Sequence, residues 1–171
     1  MRRILSFCFV VTGCGLVADV PKDASVDRVA EQPPCAPLND TGVPVTTEFV
    51  NGAPPALIPF DRSPDLGLYF MKERRIYGSA DDPSGTTRKT LELLPNGFIT
   101  SVRVDVQQAE HRVRYDTDTG KLEAGAHLRT VCGETETWTF ELVPLEQTRI
   151  ALVGRRGART VIEWYDPPPP L

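Results

Sequence analysis

Histidine is scarce in this chain, two residues in 171, and cysteine numbers only four. The two imidazoles, His111 and His127, are too few for a histidine-rich metal centre, and four thiols exclude a dense disulfide framework. No G-x-S-x-G elbow, H-E-x-x-H pair or C-x-x-C dithiol occurs, which removes the familiar hydrolase, metalloprotease and dithiol-redox sites. A basic excess is also missing: 19 Lys and Arg face 23 Asp and Glu, and the formal charge of −4 gives no footprint for nucleic acid. No apolar run approaches the ~20 residues of a membrane-spanning helix. The expectation is a chain without catalytic residues, metal or cofactor, with one hydrophobic core in a single domain.

The N-terminus carries an address. Arg2 and Arg3 precede the short apolar run Ile4 to Val11, the layout of a secretory signal. Val11-Thr12-Gly13-Cys14 follows and resembles the lipobox of bacterial lipoproteins, an aliphatic residue and two small ones before the cysteine that is lipidated. The resemblance implies that residues 1–13 are removed and that Cys14 becomes a lipidated N-terminus. It also implies a membrane partner reached through the lipid, in the cell envelope. Loss of Arg2 and Arg3 would take the formal charge from −4 to −6. Gly15, rather than Asp, after the cysteine points by the enterobacterial sorting pattern to the outer membrane, facing periplasm or exterior. Ordinary secretion with cleavage after Leu16-Val17-Ala18 is the alternative. With Cys8 in the signal and Cys14 lipidated, Cys35 and Cys132 remain, and in an oxidising compartment such a pair is expected to form a disulfide.

Proline is abundant and uneven. Nine of the 16 prolines fall between Cys14 and Asp65, three (Pro83, Pro95, Pro144) in the next hundred residues, and four in the terminal run Pro167 to Pro170. Proline removes backbone donors and biases its predecessor to extended geometry, so 14–65 reads as a semi-rigid tether and 167–171 as a solvated tail. Within the tether, Val43 to Val50 has two readings: an added edge strand, or a segment lying across the domain surface.

From 66 to 166 the pattern is period two, with no helical window of several turns. Eight segments are predicted. Leu91 and Leu93 share a face before the Pro95-Asn96-Gly97 turn, where Asn and Gly accept positive φ. Phe98, Thr100, Val102 and Val104 oppose Ser101, Arg103 and Asp105; Val113 and Tyr115 oppose Arg112 and Arg114. Leu122, Ala124, Ala126, Leu128 and Cys132 share a face, as do Trp138, Phe140 and Leu142. Ile150 and Leu152 follow, and after a Gly154 to Gly157 turn Thr160, Ile162 and Trp164 continue the inward parity. The first segment, Tyr69 to Tyr77, is ambiguous because Lys72 to Arg75 are all charged.

Eight short strands with one wet face must close or stack, since open edges pair with other chains. The expected fold is an eight-stranded antiparallel up-and-down barrel, with a β-sandwich as alternative. The Cys…Trp…Cys order of immunoglobulin domains is not present. Leu91-Glu-Leu-Leu-Pro-Asn-Gly97-Phe98-Ile99 and the late strands Ile150-Ala-Leu152 and Ile162-Glu-Trp164-Tyr165 resemble the hairpins of lipocalin-like envelope lipoproteins. That resemblance implies a barrel that carries a small apolar ligand. By the inward parity the ligand would sit among Phe98, Val102, Tyr115, Leu128, Phe140 and Trp164. The alternative is a barrel packed solid that serves as a module for contact with another envelope protein. Ala124, Gly125 and Ala126 either leave interior volume or permit close packing, and Arg155 and Arg156 either meet anionic headgroups or are solvated.

Overall fold

The computed structural model describes residues 35, 38–39, 42–78, 85–134, 137–146 and 148–169, all within the unit Pro33–Leu171. Cys14 and its motif lie outside the described residues. Among the described residues no helix is long and apolar enough to cross a membrane.

The described residues form nine strands: β1 (Val45–Val50), β2 (Gly67–Tyr77), β3 (Thr86–Leu93), β4 (Phe98–Val104), β5 (Glu110–Thr117), β6 (Ala126–Gly133), β7 (Thr139–Glu146), β8 (Arg149–Arg156) and β9 (Arg159–Asp166). Strands β2 to β9 are an antiparallel meander, and β9 pairs with β2 from Phe70↔Asp166 to Tyr77↔Thr160 to close the barrel. The expectation of eight antiparallel strands is corrected by β1, which makes the barrel nine-stranded and mixed. β2 and β3 pair only from Gly67↔Leu93 to Phe70↔Thr90. Above that point they part, and β1 fills the gap, parallel to β2 (Thr47↔Arg74 to Val50↔Tyr77) and antiparallel to β3 (Val45↔Thr87). Pro44 sits just before this strand, where its missing donor costs no ladder bond. The stretch read as tether thus contributes wall to the barrel.

The interior holds one cluster that includes Tyr69, Met71, Leu91, Leu93, Ile99, Tyr115, Leu142, Ile150, Leu152 and Tyr165, each at most 1% exposed. The outer wall is also partly buried. The Cys35–Cys132 disulfide bridges 97 residues of chain, as expected. Leu38 then packs on Val102, and its carbonyl accepts a bond from Arg112 Nη1 at 2.5 Å, so this strap covers the outside of β4 and β5. A second cover follows β1: Leu57 packs with Val143, Ala151, Val153, Ile162 and Trp164, and Phe60 N donates to Pro144 O at 2.7 Å.

This double burial inverts two strands. In β4 the cross-strand pairs Leu93↔Ile99, Leu91↔Ser101 and Lys89↔Arg103 place Ile99, Ser101 and Arg103 inward, so Phe98, Thr100, Val102 and Val104 face outward. In β9, Val161, Glu163 and Tyr165 face inward, and Ile162 and Trp164 outward. The period was legible; the face was not, because the apolar side of each strand is buried under the N-terminal segment. Bulges account for two further differences. A register shift between Met71 and Glu73 turns Arg74 inward, and another at Arg114/Tyr115 pairs Cys132 with Arg114 on the outside, where Cys35 meets it. Finally, β6 begins at Ala126; Ala124 and Gly125, with φ +84° at the glycine, form the preceding turn.

Candidate functional site

The inward face of β3 runs Thr87, Lys89, Leu91, Leu93, which places a lysine in the apolar column. Lys89 is 1% exposed and Glu163 on β9 is 2% exposed. Lys89 Nζ lies 2.9 Å from Glu163 Oε2, and the Tyr165 hydroxyl donates to the same oxygen at 2.6 Å. Arg74 Nε lies 3.2 Å from Oε1, and its Nη1 donates to Thr47 Oγ1 at 3.0 Å. The Lys89 ammonium also stands 4.7 Å over the Phe140 ring. Burial alone would raise the Glu163 carboxyl. The charges of Lys89 and Arg74, with hydrogen bonds from Tyr165 and Lys89, overcome it and lower the pKa from 4.5 to about 2. Burial and the neighbouring carboxylate push the Tyr165 phenol well above its usual range, so it acts as a hydrogen-bond donor.

Above this cluster the described residues frame the mouth of the barrel. A recess of about 230 Å³ is lined by Thr47 and Phe49 on β1, Arg74 and Ile76 on β2, Thr87 on β3 and Arg103 on β4. Asp105 and Val106 after β4, Trp138 before β7, and Arg156 on β8 complete it. Two larger hollows, about 400 and 430 Å³, lie elsewhere: one along Val43–Thr46 and Met71–Arg74, the other between Pro59–Ser63 and Glu123–Ala124. Neither draws its lining from more than two parts of the wall, whereas the mouth recess is framed by inward-facing residues of β1 to β4 together with β8.

One edge of the mouth is fixed by a histidine. His111 is bracketed by two carboxylates, with Nε2 2.8 Å from Asp105 Oδ2 and Nδ1 2.6 Å from Glu134 Oε2. Both ring nitrogens meet acceptors, which favours the imidazolium. The Asp105 bond, then that from Glu134, raises the His111 pKa, and the same bond lowers that of Asp105. Asp105 Oδ1 also accepts from Gln107 N and Ala109 N at 2.9 and 3.0 Å, which fixes the β4–β5 turn.

The six residues expected around a ligand do not come together. Tyr115, Leu128 and Phe140 face inward in the core cluster, while Phe98, Val102 and Trp164 lie on the outer face. Phe98 stacks under the Arg114 guanidinium at 4.3 Å, and Trp164 under Arg75 at 5.7 Å. Ala126 lies inside, 1% exposed and opposite Leu142. Of the turn arginines, Arg155 Nη2 reaches Glu141 at 4.0 Å, whereas Arg156 lines the recess. The residues missed in sequence are Phe49, Arg74, Lys89, Arg103 and Glu163. Lys89 carried a signal, since it stands two residues before Leu91 on the same face; Arg74 carried none, because a bulge decides its direction.

Comparison of the chain with protein-family models, with curated proteins and with solved structures returned no match.

Proposed function

We propose that this chain is a lipid-anchored protein of the cell envelope, held through Cys14 at the outer membrane, and that its barrel binds a small ligand of apolar character without catalysing a reaction. The observation that carries the binding half is the mouth recess, where Phe49, Ile76 and Trp138 offer apolar walls beside a few polar groups. That mixture is typical of ligand sites, which are mostly apolar with a small number of placed polar groups. The anchor rests on the Val11-Thr12-Gly13-Cys14 motif. A non-catalytic role is supported by the buried cluster: Glu163 stays ionised and Tyr165 stays protonated near neutral pH, so neither is poised to exchange a proton.

The buried apolar cluster inside the barrel favours a second reading, a module that contacts another envelope protein. A neutral single-ring apolar quencher, nitrobenzene, separates the two. In a Trp164→Phe background, saturable quenching of Trp138 by this probe supports the ligand site; no response leaves the interaction module. Independently, Cys14→Ser should move the protein from the membrane to the soluble fraction, and a variant that stays anchored would refute the lipid anchor.

A further inference from the structure

Two backbone bonds hang two separate segments on the same stretch of β7. Phe60 N, in the cover between β1 and β2, donates to Pro144 O at 2.7 Å, and Gly125 N, in the turn before β6, donates to Leu142 O at 3.0 Å. Leu142 and Pro144 stand two apart on β7, where β6 begins its pairing at Ala126↔Leu142. The cover and the turn are thereby held as the two walls of a cleft of about 430 Å³, lined by residues 59–63 on one side and by Glu123 and Ala124 on the other. Both walls come from unbroken described stretches, 42–78 and 85–134. The cleft shares no residue with the mouth recess.

Phe60 and Glu123 are half-buried, and Asp61, Arg62 and Ser63 are exposed. Elsewhere on the barrel exposed charges answer each other, as Arg129 does with Asp116 at 3.1 Å and Arg149 with Asp166 at 2.8 Å. In the cleft, no hydrogen bond or ion pair among the described residues engages the side chains of Asp61, Arg62, Ser63 or Glu123. Acceptors and donors thus line one hollow uncommitted, beside an aromatic ring.

We propose that this cleft is a carbohydrate site, which takes a neutral sugar with one ring face on Phe60 and adjacent hydroxyls on Asp61, Arg62, Ser63 and Glu123. A hydroxyl both donates and accepts, so a row of them answers carboxylate acceptors and guanidinium donors within one ligand. Carboxylate and guanidinium are planar forks that offer two parallel bonds, which match vicinal hydroxyls. The C–H face of a sugar ring is apolar and packs on the negative face of an aromatic ring. A ligand of one charge sign meets a like charge in the same cleft, since two carboxylates and one guanidinium line it. A zwitterion avoids that clash but rests on ion pairs, which contribute little at this exposure. The volume lies within the range of about 300 to 1,000 Å³ usual for small-molecule sites, so a disaccharide-sized ligand fits.

The purified full chain is screened on an array of neutral, N-acetylated and acidic glycans, and the strongest uncharged hit is titrated calorimetrically. Asp61→Asn and Glu123→Gln should each weaken that hit roughly two- to tenfold, the range for one net hydrogen bond. Asp61 is exposed, so its variant keeps the test independent of folding. Phe60→Leu should also weaken binding, and Phe60→Trp, which keeps a ring, should preserve it. Val106→Trp, at the mouth recess, should leave it unchanged. Glycylglycine, a zwitterion, should not compete; competition would overturn the proposal in favour of ion pairing. Capture of no uncharged glycan, or a hit untouched by the Asp61, Glu123 and Phe60 variants, would overturn it. Loss of the hit in Val106→Trp would place the sugar at the mouth and overturn it as well.

Discussion

The two ends of the barrel are built on different principles. At the end where β3 turns into β4, Pro95-Asn96-Gly97 folds back against the β5–β6 connection so closely that a Cβ on Gly97 would lie 2.3 Å from Thr117 Oγ1 and 2.6 Å from the Gly120 carbonyl carbon. Gly97 also has φ +77°, which favours glycine at this position. Leu93, Ile99, Leu122 and Leu142 fill the space behind it. The other end has a cluster of Lys89, Glu163, Tyr165 and Arg74 for a floor and a recess above it. Apolar packing is non-directional and supplies stability, whereas buried ion pairs contribute little net stability to offset their desolvation. The charged end is thus the part of the interior least explained by folding alone, and it is the end at which the described residues frame a recess.

The comparison can be broken by perturbing each element in turn. The largest expected effect belongs to the strap. For a bridge separated by 97 residues, the chain-entropy model gives about 4 to 5 kcal/mol for Cys35–Cys132. Reduction should lower the denaturation midpoint accordingly, and detection of two free thiols before reduction would show that the bridge is absent. Glu163→Gln comes next: it leaves Lys89 and Arg74 buried without their counter-charge and should cost about 3 to 5 kcal/mol in urea denaturation. Lys89→Met should cost less, since Glu163 keeps Arg74; the reverse order would contradict the shared-carboxylate arrangement.

Acid should find the same weak point. The Glu163 carboxyl sits at about 2 in the fold against 4.5 otherwise, so its contribution of roughly 3 kcal/mol is present above pH 4.5 and lost as pH falls towards 2. In Glu163→Gln this part of the acid transition should vanish. His111 has the opposite sign, because its pKa is raised above 6.5. Its stabilisation of the Asp105 turn is complete below pH 6.5 and fades as pH rises through the raised value. A shift of the His111 ring resonances titrating below 6.5 would contradict the bracket of Asp105 and Glu134.

Much of the wall was legible in sequence. Strict alternation located the strands, Asn96-Gly97 located a turn, and elimination among four cysteines identified the bridged pair. What escaped detection shares one cause, namely that a period of two names two faces but not which of them is inside. Val102 and Trp164 stand on apolar faces, which alternation alone points inward, yet Leu38 and Leu57, distant in sequence, bury those faces from outside. Arg74 and Cys132 were hidden by bulges, each of which reverses the parity of the residues beyond it. β1 was legible as one of two readings of Val43 to Val50: Val45-Thr46-Thr47-Glu48-Phe49-Val50 has the β-branched and aromatic content of a strand, while the prolines around it fit a segment across the surface as well. The recess residues come from β1 to β4 and from the segments about β7 and β8, and no local pattern joins them.

The most direct test of the two-ended account is a titration of one small apolar probe, nitrobenzene, against a pair of space-filling variants. Val106→Trp enlarges a residue at the rim of the recess that is 43% exposed, so it should block binding while changing stability by no more than about 0.5 kcal/mol. Ala126→Phe overpacks the filled end opposite Leu142 and should cost roughly 1 to 3 kcal/mol while leaving the affinity of the folded protein unchanged. The account predicts loss of binding in the first and loss of stability in the second. Retained binding in Val106→Trp together with lost binding in a folded Ala126→Phe would place the ligand in the barrel centre and contradict it.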